Sequence, residues 1–336
     1  MSVSVKKCAL RLDANTQIGT GHLMRSLTLA DELMTHGYEC HFLSIDLEEN
    51  LCELLTLKGH RIHNIRDDTE ALKILDDLEP AWLIVDHYEL DRGFETQAKS
   101  SVQSVLVIDD LANRHHNCDI LLDHNPLIEP GEYLPWVGPE CQLLLGADYA
   151  LLRSEFQHIR HSGAQEWQKG LICFGGTDPQ NVLLRVLQGL EQAESNTDIE
   201  WTCIAGMTNP HWQQLQDFSS KSRLKINLLD HSDEIGKLLS THDFAIGASG
   251  GMLWERMCIG VPTLAIAIAE NQRPGINLLK HFNLAATLEV DAISASSLEQ
   301  SLIQVRQNAS VYRQRNQEML DGMGASRTVQ VMMERT

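Results

Sequence analysis

Short apolar runs alternate with segments of helical period along the whole chain, the pattern of parallel sheets joined by crossover helices. In the first half, strands are expected at residues 8–14, 39–45, 61–65, 81–87, 105–109 and around 120–122. The clearest helix spans 22–36, where Leu23, Leu27, Ala30 and Met34 recur at i, i+4, i+7 and i+11 and define one buried face. Gly37 is placed to cap it. The alternation pauses over the mostly polar stretch 154–169. It restarts with strands at 171–175, 200–205, 225–229, 244–248 and 262–267 and helices at 181–193, 234–239 and 251–258. The predicted fold class is α/β, with two Rossmann-like open-sheet domains facing a cleft, residues 1–158 and 159–336. The last helical part, 310–333, is expected to cross back onto the first domain.

Length and composition agree with two domains: 336 residues, 43% hydrophobic, can bury two cores. A net charge of -19 disfavours nucleic acid and acidic membrane surfaces as partners. It leaves a nucleotide possible, since glycine-loop amides and helix N-termini bind phosphate without net basic charge. The eight cysteines are scattered, without a C-x-x-C pair or zinc spacing. Several fall in apolar runs, as reduced cysteines do. The N-terminal stretch 1–12 has two lysines and no apolar core of signal-peptide length, and the longest uncharged apolar run, 261–269, is too short to span a membrane. The expectation is a cytoplasmic, soluble protein.

Open α/β sheets bind ligands beyond the carboxyl ends of their strands. Three glycine loops are expected there: Gly19-Thr20-Gly21-His22, Gly175-Gly176-Thr177-Asp178 and Gly247-Ala248-Ser249-Gly250-Gly251. None is a Walker loop, and Met24 stands where a dinucleotide fingerprint needs its third glycine. Tight strand-to-helix turns account for each loop equally well. His22 falls in the first turn of the strongest helix, where the positive end of the dipole disfavours imidazolium and suits a general base. Asp13 is expected to orient its other nitrogen; a turn-capping histidine is the plainer alternative. Arg11 and Arg25 flank the loop, with solvated or structural roles favoured. Asp86-His87-Tyr88 follows another strand, and Asp86 and His87 are reserve candidates for the base. A metal site drawn from Asp109, Asp110, His115 and His116 has no diagnostic spacing. In the second half, Ser249 to Met252 opens a helix carrying Glu255, suited to a diphosphate and a ribose, or simply to helix capping. Asn271-Gln272 follows the next strand.

Taken in order, these motifs resemble one family. The run from Arg11 through Asp13, Gln17 and Gly19 to His22 is similar to the signature of the UDP-sugar hydrolases of pseudaminic acid biosynthesis, which cleave UDP from UDP-2,4-diacetamido-2,4,6-trideoxy-β-L-altropyranose. Asp86-His87-Tyr88, residues 116–122, Tyr149 to Arg153, Gly175 to Asp178 and Asn271-Gln272 extend the match to about residue 282. The resemblance implies a GT-B fold, no metal or other cofactor, and a pathway leading to cell-surface glycans such as those of flagellin. It implies that His22 deprotonates water for inverting attack at the anomeric carbon, with Asp13 and Tyr88 close to the sugar. Gly21, Asp86, His87, Arg153, Asn271 and Gln272 would bind substrate. Gly176, Thr177, Ser249, Gly250, Gly251, Met252 and Glu255 would bind UDP. Gly250-Gly251 replaces a serine-rich loop, and Thr20 stands at a position that can be aromatic, which bears on sugar specificity. A GT-B glycosyltransferase using a UDP-sugar donor, a hydrolysing UDP-sugar epimerase and a non-catalytic nucleotide-sugar binder are the alternatives.

Overall fold

The computed structural model describes residues 5–14, 21–161, 163, 166–176, 178–193, 197–206, 209–232 and 234–335. The chain divides into two compact units, Met1–Ser154 with Gly322–Thr336, and Glu155–Asp321.

Unit 1 carries seven parallel strands, β1 (Lys6–Leu12), β2 (Tyr38–Ser44), β3 (Arg61–Asn64), β4 (Trp82–Asp86), β5 (Ser104–Ile108), β6 (Ile120–Asp123) and β7 (Gln142–Leu145), in the order β3-β2-β1-β4-β5-β6-β7. Its helices are α1 (Gly21–Thr35), α2 (Glu49–Leu57), α3 (Asp68–Leu78), α4 (Arg92–Ala98) and α5 (Pro130–Tyr133). The strands are apolar on both faces because helices cover both. Cys8, Leu10 and Leu12 of β1 pack with Leu23, Leu27 and Ala30 of α1, while Ala9 joins the cluster on the opposite face. Gly37 ends α1 at φ +83°.

Unit 2 repeats the plan with six parallel strands: β8 (Lys169–Cys173), β9 (Glu200–Ile204), β10 (Lys225–Leu229), β11 (Phe244–Ala248), β12 (Thr263–Ala267) and β13 (Ala286–Glu289), ordered β10-β9-β8-β11-β12-β13. Its helices are α6 (Val182–Glu191), α7 (Trp212–Lys221), α8 (Ile235–Thr241), α9 (Gly251–Ile259), α10 (Arg273–Phe282) and α11 (Ala295–Met319). The stretch expected as one helix over 310–333 is two. Chain reversal at Gly322, φ +81°, separates α11 from α12 (Gly324–Glu334). α12 belongs to unit 1, where Ala325, Val329 and Met332 enter the core containing Leu23 and Leu27.

The edge strands β7 and β13 escape the sequence reading. Each is four residues long with a single fully buried position, Leu144 and Ala286, so neither shows a strand's periodicity. In both sheets the strand order reverses beside the first strand, between β1 and β4 and between β8 and β11. Such switch points open a crevice at the strands' carboxyl ends.

Candidate functional site

The switch point of unit 1 holds a chain of charged and aromatic groups. α1 presents His22, Arg25 and Ser26 at i, i+3 and i+4, one helical face, towards Asp86 at the end of β4. Asp86 Oδ1 accepts from His22 Nδ1 at 2.5 Å and from Arg25 Nη2 at 2.5 Å. Its Oδ2 accepts from Arg25 Nε at 2.7 Å and Ser26 Oγ at 3.2 Å. Burial alone would raise Asp86, but the Arg25 guanidinium outweighs it and, with His22, holds the carboxyl far below the usual range. Since an ionised carboxylate only accepts, Nδ1 of His22 carries a hydrogen. The neutral ring then has Nε2 alone to take up a proton.

Arg25 reaches on through Nη1 to Asp110 Oδ2 at 3.0 Å. The Tyr88 hydroxyl donates to the same oxygen at 3.4 Å, and the tyrosine ring meets the His22 ring edge-on, centroids 4.6 Å apart. Burial, reinforced by Asp110, pushes Tyr88 up to about 12. It remains a hydrogen-bond donor at neutral pH.

Asp13 does not orient His22. It lies just beyond β1 and accepts from Arg11 at 2.7 and 3.1 Å, Ser44 Oγ at 3.0 Å and the Ile45 amide at 2.8 Å. His87 Nε2 completes the set at 3.0 Å. Arg11, two residues before it, and His87 take up the carboxylate in place of His22. Burial opposes the charge, but His87 and Arg11 together hold Asp13 far below the ordinary range. His87 Nδ1 accepts from the Glu89 amide at 3.1 Å, so both of its ring nitrogens are engaged. Neither Asp86, locked to Arg25, nor His87 is available as the reserve base. Arg11 and Arg25 are structural, as expected, but their partners are the site's own carboxylates.

The carboxyl ends of β5 and β6 add a pair that sequence reading missed. Tyr133 Oη lies 3.0 Å from Asp109 Oδ2 and 3.0 Å from Asp123 Oδ2. One hydroxyl hydrogen cannot serve two carboxylates, so one acid supplies a second proton. Asp109 pairs with Arg114 at 2.6 Å and accepts the amides of Leu111 and Ala112, which favours its ionised form. Asp123 is pushed up to about 7 by burial and by the neighbouring Asp110 and Asp109. Of the two acids Asp123 is the one that takes the proton, below about pH 7. The four residues drawn as a metal set serve separate partners: Asp109 joins Arg114, Asp110 joins Arg25, His116 joins Glu95 at 2.7 Å, and His115 packs edge-on against Trp136.

Gly21 opens α1 and is exposed; Gly19 and Thr20 lie outside the described residues. Arg153 is half-buried in unit 1, beyond the edge strand β7.

In unit 2 the segment after β11 leads into α9 through Ser249 and Gly250. Ser249 Oγ donates to the Gln272 carbonyl at 3.0 Å, and Gln272 Oε1 accepts the Ile268 amide at 3.1 Å. The Gln272 main chain thus anchors Ser249, while its side chain fixes the turn that follows β12. Asn271 is exposed beside it in a turn of 3-10 helix. Gly251 is exposed; Met252 and Glu255 are half-buried, and the Met252 sulfur is 3.3 Å from Cys173 Sγ. After β8, Gly176 is exposed; Thr177 lies outside the described residues. Asp178 accepts the amides of Val182 and Leu183 at 2.9 Å each and so caps α6. Arg256, unremarked in the sequence, is buried beneath this loop.

No family model matches the chain. The UDP-2,4-diacetamido-2,4,6-trideoxy-β-L-altropyranose hydrolase of Campylobacter jejuni is 27% identical over 267 residues, 79% of this chain and 93% of that protein. Among solved structures, MurG of Acinetobacter baumannii superposes with a TM-score of 0.71 at 14% identity, covering 98% of this chain and 99% of that one. The spinosyn rhamnosyltransferase SpnG, complexed with thymidine diphosphate, gives a TM-score of 0.64 at 14% identity, covering 97% and 99%. The fold is the two-domain GT-B fold of glycosyltransferases, and the resemblance carried by the sequence motifs agrees with the hydrolase likeness. Among the described residues no helix is long and apolar enough to cross a membrane.

Proposed function

We propose that this chain hydrolyses UDP-2,4-diacetamido-2,4,6-trideoxy-β-L-altropyranose to the free sugar and UDP. The observation that carries the reading is His22 held through Nδ1 by an Asp86 that is itself fixed by Arg25 and Ser26. A base so oriented directs Nε2 at a single proton donor. Water attacks the anomeric carbon while its proton passes to His22 Nε2. The bond from that carbon to the β-phosphate oxygen breaks, and UDP leaves with the electron pair. One displacement inverts the configuration. Tyr88, edge-on to the His22 ring, supports the sugar-facing side of the site. Ser249 to Met252 and Gly176 take the diphosphate on main-chain amides, with Glu255 on the ribose, and the helix dipole of α9 favours the departing charge. Thr177, Arg153, Asn271 and Gly21 are further candidates for substrate contact, and no cofactor is invoked.

Turnover in ¹⁸O water tests the mechanism. Label in the anomeric hydroxyl of the sugar is expected, and label in UDP would refute attack at carbon. His22→Asn is expected to abolish turnover while UDP still binds. A glycosyltransferase is the second reading, favoured by the fold shared with MurG and SpnG. It requires UDP release to depend on an added acceptor alcohol.

A further inference from the structure

Arg256 lies in the second turn of α9 and is 2% exposed. Its Nη2 donates to the Ala248 carbonyl, the residue just before Ser249. Nε has no hydrogen-bond partner, and among the described residues no carboxylate forms an ion pair with the guanidinium, the neighbouring Glu255 acting on it only through its field. The position is fixed by a close approach. A Cβ on Gly247 would stand 2.7 Å from Arg256 Nη1 and 2.5 Å from the Cys173 carbonyl oxygen. Gly247 and Cys173 face each other in register on β11 and β8, the two strands that flank the switch point. The guanidinium therefore occupies the carboxyl-end gap of this sheet, under the loop that opens α9. Burial opposes the charge and pushes Arg256 down to about 10, which leaves it cationic at neutral pH.

A buried cation without an anionic partner costs several kcal/mol and contributes nothing to stability on its own account. We propose that Arg256 is a positioning residue whose unpaired charge is held for the diphosphate of the nucleotide, and that it sets the preference for a diphosphate over fewer negative charges. This rests on the reading of residues 249–252 as the diphosphate loop. The cation acts through that loop, by fixing the Ala248 carbonyl and by adding a positive field to the α9 amides. In the absence of ligand it weakens the fold, so its removal has opposite effects on stability and on binding.

Calorimetric affinities for UDP, UMP and uridine, together with Tm, form the test. Arg256→Gln keeps a donor for Ala248 and removes the charge; Arg256→Lys keeps the charge. For the Gln variant, UDP affinity is expected to fall on the order of 10-fold, with uridine unchanged within about twofold and Tm unchanged or higher. The Lys variant is expected to keep most of the UDP-over-uridine preference. Equal losses for UDP and uridine, or an unchanged UDP affinity, would overturn the proposal. If the Gln variant does not fold, a Lys variant that has lost the preference overturns it as well. If the unmodified protein binds UDP no more tightly than uridine, the diphosphate loop itself is misassigned, a separate failure from that of Arg256.

Discussion

Asp86→Asn puts the proposed catalytic geometry under a sharp test, because all four contacts of Asp86 come from donors: His22 Nδ1, Arg25 Nη2, Arg25 Nε and Ser26 Oγ. An asparagine must turn its amide hydrogens towards one of those pairs. Either His22 loses its acceptor or Arg25 Nε and Ser26 do. The Arg25 side chain is only 14% exposed and Asp86 fully buried, so loss of one charge leaves the other in a poor medium. Breaking a buried pair costs about 3–5 kcal/mol. Asp110 remains bonded to Arg25 and favours the lower end, roughly 3 kcal/mol and a Tm lower by about 5–10 °C. With His22 no longer held in one tautomer, kcat is expected to fall about 100- to 10,000-fold. Asp13→Asn supplies the control, since Asp13 is equally enclosed by donors but bonds Arg11, Ser44, Ile45 and His87. It is expected to lower Tm comparably while changing kcat less than about 10-fold. Steady-state UDP release at a temperature where both variants are folded decides the matter. Equal kcat losses in the two variants, or an Asp86→Asn enzyme with near-normal kcat, would refute the assignment of Asp86 as the partner of His22.

Asp123→Asn reproduces the protonated acid, with an amide to donate to Tyr133 and an oxygen for the Asn125 amide at 2.8 Å. Asp123 is raised in the folded state to about 7, so its protonated form keeps full stability below about pH 4 and loses it progressively as pH rises to 7. The variant should match the parent at pH 4 in urea unfolding and exceed it at pH 8 by on the order of 3 kcal/mol; equal stability at both pH values refutes the proton placement. Asp13 and Asp86, held low, contribute in the opposite direction, and their stabilisation is lost only as pH falls below about 4 towards their depressed values. Met332→Ala, at a fully buried position of α12, is expected to cost about 2–5 kcal/mol in the same assay. A loss below about 1 kcal/mol would mean that α12 does not complete the unit 1 core.

Local pattern and distant contact separate what the sequence disclosed from what it withheld. His22 was legible because α1 has an unbroken apolar face, which places residue 22 at its first turn whatever the rest of the chain does. Its partner was not. Asp86 is 64 positions away and reaches His22 only because β4 lies beside β1, with Leu12 and Asp86 in register. Asp13 is nearer in sequence but is drawn to Arg11, two residues before it. Asp123 and Tyr133 resemble an ordinary strand end and loop until the hydroxyl is found between two carboxylates. Arg256 reads as a surface residue of a short helix; its burial depends on the missing side chain of Gly247. The glycine loop in unit 2 was located correctly in the chain, but its bracing by Gln272 needed the turn after β12 to be seen.

α12 gives unit 1 an unusual history. The hydrophobic surface formed by Leu23 and Leu27 emerges from the ribosome some 300 residues before Ala325, Val329 and Met332 arrive to cover it. Unit 2 is complete by Asp321 and so is able to fold while the first half still lacks its final helix. The apolar face of α1 therefore stays uncovered in a nascent chain until α12 has been made, and unit 1, which bears the proposed base, is completed only after unit 2.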